Sequence, residues 1–181
     1  MYDAAQFNGF AKSELDDRLF EDIWNWDIFN ESDLHSAAYY YIRTYFAKRT
    51  SDNIFVRCEP QMRGKKPDIV VYDQSRPVYV LEFKMFPEPE IIDEAKIDAD
   101  LEKLDDFIRS LDSIKWGFFM IVYDSDDDFN ISDPRLRRQG LEKISVIGVN
   151  LRRKEGSGRR RTGYDQWRTE FDRLRAHHKK W

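Results

Sequence analysis

Hydrophobic positions change period several times along the chain, and each change marks an element. Leu15, Leu19, Phe20, Ile23 and Trp24 recur every three or four residues, the period of one helix face. Ser13 with Asp16 three residues on reads as a capping box, so the spacing predicts a helix from there to about Asp27. Trp24, Trp26 and Phe29 read as core or lid packing rather than as platforms for bases. A second stripe, Leu34, Ala38, Ile42 and Tyr45, predicts a helix that starts near Ser32 or Asp33 and runs through Ala47. Glu31 and His35 border that stripe four residues apart, one above the other on a helix. Glu31 reads either as an acid complementing the helix dipole or as a functional carboxylate. His35 reads as a satisfied boundary histidine.

Asn53 to Glu59 is a short β-rich run, and Gln61 to Lys66 a basic turn around Gly64. Lys65 to Phe86 then holds two β-rich runs around a polar break at residues 73–77, with Pro87 and Pro89 expected to end the second run. Ile97, Leu101, Leu104, Ile108 and Leu111 line one face of a helix expected over about 91–111. Asp98, Asp100, Glu102 and Asp105 are assigned to its solvated face. Trp116 to Asp124 is apolar almost throughout, as in a strand covered on both sides. A short helix capped by Asp133 and carrying Arg135, Arg137 and Arg138 is expected to reach about Lys143, and Ile144 to Leu151 is the last strand. A three-stranded meander followed by a β–α–β crossover predicts an α/β fold, a mixed sheet with helices on both faces. The expected division is a domain over 1–151, then a basic segment and an amphipathic helix, Tyr164 to His178, over 152–181.

Composition adds limits. With 41% hydrophobic and 15% aromatic residues, the 181-residue chain can bury a core. Cys58, the single cysteine, excludes an internal disulfide and a Cys-rich zinc site. The first residues lack the apolar core of a signal peptide, and no run approaches the ~18 apolar residues of a membrane span. The expectation is a cytoplasmic protein that does not enter a membrane. The net charge of −4 is uneven: residues 1–151 carry 19 Lys and Arg against 30 Asp and Glu, residues 152–181 carry 11 against 4. Attraction to phosphate must therefore be local or come from the tail, where Arg159, Arg160 and Arg161 cluster. The tail helix reads either as docked on the core or as part of a phosphate-binding arm. The acidic loop at Asp124 to Asp128 lacks the glycine and closing glutamate of an EF-hand.

The chemistry concentrates in the 65–86 stretch. With the turn centred on Ser75, Asp68 faces Glu82, Val70 faces Val80 and Tyr72 faces Val78. A two-residue turn would shift that register. Glu82 and Lys84 point the same way, roughly 7 Å apart. Opposed carboxylates repel unless neutralised, and a hard divalent cation with oxygen ligands would do so. A water activated by that metal would be a nucleophile, which Lys84 could orient or deprotonate unless it stabilises the developing charge instead.

Pro67-Asp68, thirteen intervening residues and then Glu82-Phe83-Lys84 resembles the signature of the PD-(D/E)xK nuclease superfamily, and the order of elements over about 31–151 is similar to that of its restriction endonuclease-like core. The resemblance implies a Mg²⁺-dependent nuclease acting on DNA, with Mn²⁺ as a substitute. Asp68, Glu82 and the carbonyl of Phe83 would hold the metal, Lys84 would be the catalytic lysine, and Glu31 an auxiliary acid. His35 is weakly similar to an early-helix histidine of one branch. Lys96 and Lys103 stand where many members carry a lysine or glutamine on the following helix. Cutting both strands of a duplex would favour a homodimer or a partner protein. The competing expectation is a non-catalytic nucleic-acid-binding or protein-interaction subunit on the same scaffold.

Overall fold

The computed structural model describes residues 4–49, 53–89, 91–125, 141–152 and 163–178. Its first helix is longer than its apolar spacing predicted: α1 (Ala4–Phe10) passes through a π-helical turn (Ala11–Leu15) into α2 (Asp16–Trp24). Ser13 is therefore not a cap; its hydroxyl lies inside the helix and donates to the Gly9 carbonyl at 2.7 Å. Phe7, Phe10 and Ala11 extend the buried face towards the N-terminus. The next helix, α3 (Glu31–Ala47), starts earlier than expected, because Asn30 supplies the cap by accepting from the Asp33 N–H at 3.0 Å.

The strands are β1 (Ile54–Cys58), β2 (Ile69–Asp73), β3 (Arg76–Pro89), β4 (Trp116–Asp124) and β5 (Ile144–Asn150), ordered β1-β2-β3-β4-β5. β1, β2 and β3 run antiparallel, while β3, β4 and β5 run parallel, with α4 (Glu94–Ser110) crossing over between β3 and β4. This is the mixed α/β sheet that the element order predicted. One face packs on the N-terminal helices, α3 and α5 (Tyr164–His178), the other on α4. No helix among the described residues is long and apolar enough to cross a membrane.

The hairpin register differs near its turn. Gln74 and Ser75 form a two-residue turn with φ of 49° and 70°, so Tyr72 pairs with Pro77, not Val78. A bulge between Val71 and Tyr72 then restores the expected register, with Val70 opposite Val80 and Ile69 opposite Leu81. Pro87 does not end β3, which runs on to Pro89. Beyond Leu81 the strand pairs only with β4, so its other edge has no ladder for a proline to break.

α5 shares the main core. Trp167 stacks on Trp24 at 4.6 Å between ring centroids and donates from Nε1 to the Trp24 carbonyl at 3.1 Å, and Phe171 stacks on Phe29 at 5.5 Å. Buried Asp124 accepts from Arg152, from the Tyr164 hydroxyl and from Arg168 Nη1, the last at 2.8 Å. The helix predicted from Asp133 and the arginines at 135, 137 and 138 lies outside the described residues except for its end, a 3₁₀ turn at Leu141–Lys143. Arg159, Arg160 and Arg161 also lie outside them.

Candidate active site

The site forms at the open edge of β3. Where β2 stops, the backbone N–H of Phe83 has no strand partner and donates instead to Asp68 Oδ2 at 2.7 Å. The register that pairs Ile69 with Leu81 brings Asp68 opposite Glu82, just beyond the last paired residues. Strand alternation turns Leu81, Phe83 and Met85 into the α3 face, with Val80 and Phe86 on the α4 face. Glu82 and Lys84 share the parity of Val80 and Phe86, which brings them to α4. The open edge lets the start of α3 reach the same place.

Six charged side chains and a histidine meet there. Lys84 Nζ donates to Glu31 Oε1 at 2.9 Å and lies 3.4 Å from Asp100 Oδ2. Lys103 Nζ lies 2.6 Å from Glu82 Oε2 and 3.2 Å from Asp100 Oδ1. His35 Nε2 is 3.3 Å from Asp68 Oδ2. His35 is thus against a candidate carboxylate, not merely at a helix boundary. Asp100, assigned from sequence to a solvated face, is buried in the cluster. Sequence reasoning missed it, although it sits beside the apolar stripe, three residues after Ile97. Lys103 reaches the site, whereas Lys96 Nζ pairs with Asp93, the N-cap of its own helix, 3.3 Å away.

Glu82 carries the largest electrostatic strain. It is 1% exposed, and the Lys103 ammonium, 2.6 Å from Oε2, is set against its charge. Burial pushes its carboxyl up to about 9; Asp68 adds to the rise and Lys103 opposes it. Asp68 is also raised, chiefly by burial, against the pull of His35 and the Phe83 N–H. Burial works to neutralise Lys84 and Lys103, but Glu31 and Asp100 outweigh it for Lys84, as Glu82 and Asp100 do for Lys103. Both ammonium groups are held above the ordinary lysine value.

Four carboxylates (Glu31, Asp68, Glu82, Asp100) against two ammonium groups leave two negative charges when all are ionised. That deficit, and carboxylate oxygens gathered around the buried Glu82, fit a hard divalent cation. Among the described residues no group of three or more His, Cys, Asp and Glu side chains is arranged to hold an ion. No protein-family model and no curated protein sequence matches the chain.

Proposed function

We propose that the chain is a divalent-metal-dependent nuclease of the PD-(D/E)xK type, hydrolysing phosphodiester bonds in DNA. The observation that carries this reading is Glu82: buried, opposite a second, half-buried carboxylate, with Lys103 against one of its oxygens and Lys84 one pleat further on. Asp68, Glu82 and the Phe83 carbonyl would hold Mg²⁺, or Mn²⁺ in its place. When bound, the ion supplies Lewis acidity, making water more acidic and offsetting phosphate charge. Lys84 is kept protonated by Glu31 and Asp100, so its role is to donate to phosphate oxygens as charge develops, not to accept a proton. Glu31 holds that ammonium in position. His35 and the Phe83 N–H fix Asp68, and Lys103 limits the repulsion at Glu82.

The test is incubation with linear, nicked, branched and single-stranded DNA and with RNA, in Mg²⁺, Mn²⁺ or EDTA. Cleavage that needs the metal and is lost in Glu82→Ala and Lys84→Ala is the expected result. Binding without cleavage of any substrate, indifferent to both substitutions, would replace the enzyme with a binding module on the same scaffold.

A further inference from the structure

The end of α2 holds a tryptophan in a glycine's place. The Trp26 N–H donates to the Ile23 carbonyl at 3.2 Å and the Asp27 N–H to the Asp22 carbonyl at 2.9 Å. That pair of bonds is a Schellman ending, whose left-handed residue is usually glycine. Trp26 has φ of 66° there, a conformation that bulky side chains rarely adopt. Nor does burial explain the ring: Trp24 and Phe29 are packed as the sequence suggested, but Trp26 is 43% exposed. It forms one wall of a cavity of about 590 Å³ with Gly163, Gln166, Trp167, Thr169 and Glu170. Among the described residues a Cβ added to Gly163 would meet nothing within 4 Å.

We infer that this pocket takes an unpaired nucleobase of the nucleic acid, stacked on Trp26, a subsite that rests on the nuclease reading above. Pockets of this size hold small ligands with a few polar contacts. The Gln166 amide can both donate to and accept from a base edge, and the Glu170 carboxylate accepts. That carboxylate is already paired with Arg173, Nε to Oε2 at 2.9 Å, so the described lining offers no unpaired cation for a phosphate and the exposed indole face favours a base as occupant. Glu31 lies five positions after Trp26, so their α-carbons are at most about 18 Å apart. That is roughly five nucleotides of one strand. α5 is also tied to the strand carrying Lys84, because Arg168 donates to the Pro87 carbonyl. An exposed aromatic face stacks any base, so the subsite selects unpaired strands without reading sequence.

Trp26→Gly removes the ring while relieving the backbone. Binding is read by anisotropy in EDTA with a labelled single-stranded oligonucleotide and a blunt duplex. Trp26→Gly should melt at the same or a higher temperature and bind the single strand at least about fivefold more weakly. Its affinity for the duplex should not change, and Trp26→Tyr should recover most of the loss. Unchanged single-strand binding, an equal loss on both ligands, or a lower melting temperature would each overturn the subsite. So would a wild-type protein that binds neither ligand. Since no turnover is needed, absent cleavage by a wild type that shows the stacking signature removes hydrolysis and leaves the pocket. Intact cleavage with Trp26→Gly binding like wild type does the reverse.

Discussion

Glu82 makes the fold sensitive to pH. Its carboxyl titrates at about 9 in the folded chain against an ordinary 4.5. Between those values the native state holds a proton that the unfolded chain has lost, so stability of the metal-free protein falls as pH rises through that window. Asp68 is raised too and contributes with the same sign. Denaturant midpoints of metal-free protein should therefore drop from pH 5 to pH 9. Glu82→Gln should flatten the profile and be the more stable protein at pH 8. A Glu82→Gln profile as steep as wild type would show that the slope arises elsewhere. Lys84→Ala should lower cleavage by about 10²–10³-fold, the usual loss of one charge-stabilising donor. Asp68, Glu82 and Lys84 were legible in the sequence because acids and a lysine defy strand preferences. Asp100 was not, since α4 is rich in acids and periodicity alone does not say which of them border a site.

Among the elements, the hairpin was read most closely and still departed in detail. Apolar residues fixed the register across Val70 and Val80, but the number of residues in the turn was left open by the pattern. The two-residue turn needs positive φ at both Gln74 and Ser75, where glycine and asparagine are favoured. The double substitution Gln74→Asn, Ser75→Gly should stabilise the protein by about 1 kcal/mol, read from urea midpoints. No gain would mean that the bulge, not the turn, limits the hairpin. The N-terminal helix was under-read because its π turn shifts the helical phase, so a single period cannot follow both halves. Pro87 misled, while Pro89 does end the strand, because a proline's cost depends on whether a neighbouring strand exists, which the local sequence does not state.

At the scale of the molecule, α5 is structural. Asp124 has no exposure at its side chain and binds Arg152, Tyr164 and Arg168. Asp124→Ala would remove the buried acceptor shared by Arg152, Tyr164 and Arg168, although Arg168 keeps Asp172, and should cost about 3–5 kcal/mol. A smaller loss in thermal or chemical unfolding would mean that water replaces the carboxylate. The remaining charge asymmetry predicts a separable effect. Replacing Arg159, Arg160 and Arg161 by alanine should lower the slope of log affinity against log salt by up to about 2.7 on duplex DNA, with an unchanged slope excluding them as phosphate contacts. The docking of α5 also sets a condition on synthesis. A nascent chain that has emerged only through β5 exposes Trp24 and Phe29 and leaves Asp124 without Arg152 and Arg168. The main core is then complete only once α5 has docked on that face.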